Sequence, residues 1–160
     1  MNSIEELSLA AGRFLSEHNL KISVAESCTG GLLGGALTDI AGSSAYFRGG
    51  IIAYDNQIKH MVLGVPDHIL ENYGAVSEQT VIAMAQGACK LFDTECAISV
   101  SGIAGPGGGT MQKPVGLVYV AVAIQKRNRS FKFTFSGNRR QIRSQAVREA
   151  LNEFLLMSAH

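Results

Sequence analysis

Two apolar runs in this chain end in the same way. Ile22-Ser23-Val24 leads through Ala25-Glu26 into Ser27, and Ile98-Ser99-Val100 leads into Ser101, with glycines close behind each serine. A short apolar run closed by turn residues reads as a buried strand. The first run opens into a helical pattern in which Leu33, Ala36, Leu37 and Ile40 share one face. In an open α/β sheet, parallel neighbours present their carboxyl ends along one edge, and ligands bind there. If the two strands are adjacent, Ser27, Thr29, Ser101 and Gly102 surround one crevice.

The rest of the chain supplies layers for such a sheet. Ser3 and Glu6 form a capping-box pattern ahead of a helix with Ile4, Leu7, Ala11, Phe14 and Leu15 inward, ending near His18-Asn19. Strands are expected at 21–26, at 46–54 (with Gly49-Gly50 marking a bulge or a close backbone approach) and at 97–100. A helix at about 30–40, short helices at 56–63 and 67–72, and a Ser77-capped helix carrying Val81, Met84, Ala85, Ala88 and Phe92 separate them. Two longer strands, 115–125 and 129–136, form a hairpin through Lys126-Arg127-Asn128, and a helix at 139–157 closes the chain. Helices alternating with strands, apart from one late hairpin, predict an α/β fold with a mixed sheet and helices on both faces.

Composition limits the function classes. At 160 residues, 46% of them hydrophobic and 17% charged, residues 1–160 are expected to form a single domain with a proper core. A net charge of +1 gives no electrostatic basis for nucleic acid or a membrane surface as the main partner. The longest apolar run, Val115 to Ile124, is shorter than the roughly 20 residues a bilayer span needs. The amino terminus is acidic and polar rather than signal-like, so the cytoplasm is the expected location. Three cysteines, at 28, 89 and 96, form no closely spaced metal pair, and four histidines lack helical zinc spacing; no metal is expected.

Several groups are candidates for chemistry. The hydroxyl- and glycine-rich turn at 25–31, between strand and helix, is expected to leave amides that attract an anion, although Thr29 as a plain N-cap is an equal alternative. Gly42-Ser43-Ser44 follows the second helix, and Lys59 lies fifteen residues beyond Ser44. A serine with a neutral lysine is one form of nucleophilic catalysis; the plainer alternative is a helix-ending turn and a solvated lysine. Cys28 is a second nucleophile candidate at a helix start, against a packing role. Glu26 either holds a ligand hydroxyl, positions Lys59, or pairs with a backbone amide at the strand end. Arg139, Arg140 and Arg143 crowd the start of the last helix, where cations oppose the dipole; a phosphate between arginine and helix start would remove the conflict, and solvent screening is the alternative. Gly105 to Gly109 lacks a Walker ending and reads as an edge of the site or a flexible connection, with Lys113-Pro114 at its far end.

The ordered motifs Ala25-Glu26-Ser27-Cys28-Thr29-Gly30-Gly31, Gly42-Ser43-Ser44, Tyr54 to Lys59, Gly74 to Ser77, Ser101 to Pro106, Lys113 to Gly116 and Phe135 to Arg139 closely resemble the CinA C-terminal domain family. Its stand-alone members include nicotinamide mononucleotide deamidases. The resemblance spans nearly the whole chain, with Gly107 departing from an aspartate common in the family. It implies a three-layer α/β/α sandwich with a mixed central sheet, acting on a pyridine mononucleotide in NAD salvage with no cofactor or metal. A homo-oligomer is expected from the apolar composition of the chain. The resemblance also implies Ser44 as nucleophile, with Ser27 and Ser43 as the other hydroxyls in question, and Lys59 as base and then acid. Ser27 and Ser101 would orient substrate, Thr29, Gly30, Gly31 and Gly102 would line its site, Tyr54 would flank it, and Arg139 would face the phosphate. A non-catalytic nucleotide-binding module, linked to competence or DNA damage, is the competing implication.

Overall fold

The computed structural model describes all residues from Met1 to His160. Five strands form one mixed sheet in the order β2-β1-β3-β4-β5: β1 is Ile22–Glu26, β2 Phe47–Ile52, β3 Cys96–Gly102, β4 Leu117–Ile124 and β5 Arg127–Thr134. The β1 strand runs parallel to both its neighbours, β2 and β3, while β4 is antiparallel to both β3 and β5. All five residues of β1 are buried, Ser23 and Glu26 included, because a central parallel strand is covered on both faces.

Six helices cover the two faces. Helices α1 (Ile4–Glu17), α2 (Leu32–Thr38) and α6 (Arg139–Ser158) pack on the larger core, against Val24, Ile98, Val120 and Val122. Helices α3 (Asn56–Leu63), α4 (Asp67–Tyr73) and α5 (Glu78–Phe92) cover the other face, where the sheet presents Ala25, Ala97, Ala121 and Ala123. This alternation follows from the period of two along a strand: branched side chains fill the space under three helices, and alanines let α5 lie close to the sheet. No helix is long and apolar enough to cross a membrane.

Local signals act as their chemistry requires. Ser3 and Glu6 form the capping box of α1, with Ser3 Oγ accepting from the Glu6 amide at 3.1 Å and Glu6 Oε2 accepting from the Ser3 amide at 2.8 Å. The Gly49-Gly50 pair carries both expected features. The β1–β2 register shifts beside it, and a Cβ at Gly50 would lie 2.4 Å from a Val24 methyl. Most strand and helix ends shift by one or two residues from expectation, and two of the shifts have a clear local cause. The hairpin turns at Gln125-Lys126, because Ile124 pairs directly with Arg127, so β5 starts two residues earlier than 129. Helix α2 starts at Leu32, because Gly30 and Gly31 take the left-handed φ values of 57° and 105°.

Candidate active site

Register brings three chain segments to one edge. Glu26, the last residue of β1, pairs with Ile52 of β2 and with Val100 of β3. The pairing continues past the strand ends: the Ser27 amide donates to Val100 O at 2.9 Å, and the Ala53 amide donates to Glu26 O at 2.7 Å. Ser27, Ser101 and the Ala53-Tyr54 segment therefore stand side by side at the carboxyl edge. The echo between Ile22-Ser23-Val24 and Ile98-Ser99-Val100 reflects two neighbouring parallel strands.

Glu26 organises the turn that follows it. Its buried carboxylate accepts from Thr29 Oγ1 at 2.6 Å, from the amides of Gly31 and Leu33 at 3.2 and 2.9 Å, and from the Gly34 amide at 2.9 Å. An anion does occupy the start of α2, and it belongs to the chain itself. Thr29 is not an N-cap: its hydroxyl serves Glu26, and the cap residue is Gly31. The Gly30 amide donates to Ser27 O at 3.1 Å, closing the turn. Two amides, those of Cys28 and Thr29, donate to no other residue. Both residues are buried, and both follow Ser27 directly.

Lys59 is the largest fully buried side chain of the molecule, 1% exposed. Its position on α3 explains this. The helix begins immediately past β2, capped by Asp55 Oδ1, which accepts from the Ile58 amide at 2.8 Å; its two buried residues, Lys59 and Leu63, lie four apart on the inward face. Lys59 Nζ donates to Ala53 O at 2.8 Å and to Tyr54 O at 3.3 Å, and it lies 3.2 Å from Ser27 Oγ. Burial pushes its pKa below that of an ordinary lysine, while Asp55 and Cys28 pull the other way. A neutral amine has two N–H groups and a lone pair. In that form two carbonyls match the two donors and the lone pair is left for the Ser27 hydroxyl, whereas in the ammonium form the third N–H donates to Ser27 Oγ.

The structure does not bring Ser44 to this edge. The Ile22 amide donates to Tyr46 O at 2.8 Å, so Ser43–Ala45 form a short 3-10 turn at the amino edge of the sheet. The five residues of β1 separate that edge from Ser27 by about 16 Å at 3.3 Å per residue. Ser44 is exposed there and Ser43 is buried in the same turn, so neither hydroxyl is placed to meet Lys59. Cys28 is held as a packed thiol, its pKa pushed up to about 11 by burial. Ser101 Oγ donates to Ala75 O at 2.8 Å, which ties the carboxyl end of β3 to the segment leading into α5; Gly102 still pairs with Val118 as the last residue of β3.

The arginines at the start of α6 reach back over this edge. Arg139 donates to Gly105 O at 2.8 Å and to the Tyr54 hydroxyl at 3.0 Å, leaving an exposed guanidinium and a phenol beside the mouth of the site. Arg143, one helical turn on, donates through Nε to Cys28 O at 2.9 Å and through Nη2 to Thr29 O at 3.2 Å. Loop carbonyls thus offset the unfavourable placement of cations at a helix start, and Asn138 with Gln141 supplies a capping box. The spacing Asn138-x-x-Gln141 signals that cap in the sequence. No local pattern signals the reach of Arg143 across more than a hundred residues of chain. Across the site, Lys113 Nζ donates to Tyr73 O at 2.5 Å, anchoring the far end of the glycine loop.

An α/β sandwich whose hydroxyl, amine and guanidinium groups gather where parallel strands end is the class of protein this architecture defines. Residues 4–157 match the CinA C-terminal domain, and the chain belongs to that family. A CinA-like protein of Endomicrobium trichonymphae is 51% identical over 148 residues, covering 92% of this chain and 35% of that protein. The chain thus spans only about a third of the length of several curated relatives. The nicotinamide-nucleotide amidohydrolase PncC of Enterobacter agglomerans is 47% identical over 157 residues and is matched along its length, with 95% of this chain and 96% of that protein covered. Among solved structures, the competence/damage inducible protein CihA of Agrobacterium tumefaciens superposes with a TM-score of 0.94 at 42% identity, over 100% of this chain and 98% of that one.

Proposed function

We propose that this chain is an amidohydrolase that converts nicotinamide mononucleotide to nicotinate mononucleotide and ammonia, with Ser27 as nucleophile and Lys59 as its base. The contact that carries this reading is the 3.2 Å approach of buried Lys59 Nζ to Ser27 Oγ, with the two other neighbours of the amine being carbonyls. The full-length likeness to a nicotinamide-nucleotide amidohydrolase supports the substrate class.

Ser27 Oγ attacks the carboxamide carbon as Lys59 Nζ accepts the hydroxyl proton. The amides of Cys28 and Thr29 receive the negative charge that develops on the amide oxygen. Lys59 returns its proton to the leaving nitrogen, ammonia departs, and an acyl-enzyme remains on Ser27. Water deprotonated by Lys59 then attacks the acyl carbon, releasing nicotinate mononucleotide and restoring the serine. The substrate's cationic pyridinium ring disfavours protonation of Lys59, so binding itself helps keep the amine neutral. Arg139, exposed beside Tyr54, faces the phosphate.

The test is ammonia release from purified protein given nicotinamide mononucleotide, with nicotinamide riboside alongside. Release from the mononucleotide and much less from the riboside is the expected result. No release by a folded protein that still binds the mononucleotide would replace this reading with that of a non-catalytic binding module.

A further inference from the structure

Arg143 lies outside the reacting pair, yet it holds the turn on which that pair depends. Its guanidinium donates to two consecutive carbonyls, Cys28 O at 2.9 Å and Thr29 O at 3.2 Å. The peptide unit that owns the Cys28 carbonyl also owns the Thr29 amide. In a trans peptide the C=O and N–H point in opposite directions, so fixing one fixes the other. The Thr29 N–H therefore points away from α6. Lys59 enters from α3, in the layer across the sheet from α6. That amide is one of only two in the turn that donate to no other residue.

We infer that Arg143 is a positioning residue that aims the Thr29 amide at the developing oxyanion, by clamping the Cys28 and Thr29 carbonyls from behind. Three further features fit this role. Glu26 secures the opposite side of the same turn through Thr29 Oγ1 and the Gly31 amide, so the Cys28-Thr29 unit is held from two directions. A cation bonded to a peptide oxygen also polarises that peptide, making its N–H a stronger donor. Finally, a Cβ at Gly30 would lie 3.1 Å from Arg143 Nη2, so glycine keeps the clamp in place as well as allowing the turn's φ of 57°. Arg143 is half-buried against the turn, whereas Arg139 is exposed and keeps further N–H groups beside its bonds to Gly105 O and the Tyr54 hydroxyl with which to meet a phosphate.

This inference rests on Ser27 being the nucleophile, and the experiment separates the two ideas. Arg143→Ala, Arg143→Met and Arg143→Lys are compared with the unaltered protein in two assays. One is ammonia release from nicotinamide mononucleotide; the other is the rate at which a fluorophosphonate probe labels Ser27, located by mass spectrometry. Labelling forms a Ser27 Oγ–P bond, expels fluoride and passes the hydroxyl proton to Lys59, with no pyridine substrate involved. Arg143→Ala is expected to lower kcat by about 10²-fold or more, the size of losing one oxyanion donor, with KM within about threefold. It is also expected to slow labelling at least tenfold, while the acid limb of the pH profile keeps its position. The lysine variant, able to hold one carbonyl, recovers part of both losses. Should the alanine variant fail to fold, the methionine and lysine variants carry the same comparison. Unchanged kcat and labelling per folded molecule, with only the melting temperature lowered, would reduce Arg143 to a structural tether and overturn the inference. A rise in KM alone would overturn it too, making Arg143 a substrate ligand. Strong labelling at Ser27 without ammonia release would sink the proposed substrate while leaving Arg143 testable by the probe. Absence of both in the unaltered protein would remove the nucleophile and the inference together.

Discussion

The turn at Ser27 and the turn at Ser43-Ser44 look alike in the sequence and differ in almost every physical respect. The first leads from β1 into α2 and the second from α2 into β2, and both combine serine with glycine in a left-handed conformation. The Ser27 turn sits at the carboxyl edge of β1, folded around a buried carboxylate and flanked by a buried amine. The Ser43-Ser44 turn sits at the amino edge of β2, with exposed backbone around it and no titratable side chain bonded to either hydroxyl. A serine in a glycine turn becomes reactive through what the sheet places beside it, and local composition does not report that.

Replacing each serine in turn tests this contrast most strongly. Ser27→Ala is expected to reduce ammonia release by at least about 10³-fold, as removal of a covalent nucleophile does. Ser44→Ala should stay within about twofold of the unaltered protein, since the hydroxyl lies on the other edge. The reverse pattern in steady-state assays would return the nucleophile to Ser44 and require a different fold of this region.

The same comparison shows what could be read in advance. Two parallel strands ending in serines were legible because buried strands carry a compact apolar signature and the echo between 22–24 and 98–100 is strong. The placement of Ser27 beside Ser101 followed from it. A pairing of Ser44 with Lys59 conflicts with a constraint that is equally legible. The strand expected at 46–54 lies between them, and a residue before a strand and one after it stand at opposite edges of the sheet. The reach of Arg143 and the four-donor cradle around Glu26 were not legible, because both depend on contacts fixed only when α6 and α2 pack on the sheet.

Lys59 gives the next largest effect. Lys59→Met keeps the volume and removes the proposed base, so kcat should fall by about 10²- to 10⁴-fold. Stability carries an independent sign. Because burial lowers the folded-state pKa of Lys59, the unfolded chain binds more protons between that value and the ordinary lysine range. Stability of the unaltered protein should rise with pH across that window, and the methionine variant should lose that slope in urea titrations at several pH values. A slope that persists in the variant would mean that another group is responsible.

Glu26 separates the two turns in a third way, through stability. Glu26→Gln places an amide N–H₂ among groups that are themselves donors, leaving buried donors without acceptors. A loss of about 1–3 kcal/mol is expected in chemical denaturation. No acidic side chain is bonded within the Ser43-Ser44 turn, so Asp39→Asn nearby should leave stability within about 0.5 kcal/mol. Equal losses from the two substitutions would deny Glu26 its organising role.

The smallest expected effect concerns Asp55, and it is the most diagnostic of electrostatics. Asp55 caps α3 and its negative charge favours the protonated form of Lys59, opposing the effect of burial. Asn at this position still caps a helix, so Asp55→Asn should preserve α3 while removing the charge. The pKa of Lys59 then falls further, and the neutral amine becomes available at lower pH. The acid limb of kcat/KM should therefore move to lower pH with little change in its plateau. No movement of the limb would show that some other group sets it, and movement to higher pH would contradict the sign of the Asp55–Lys59 interaction. Because Ser44 has no comparable partner, its substitution should leave the limb where it is, which makes the pH profile a second and independent way to tell the two turns apart.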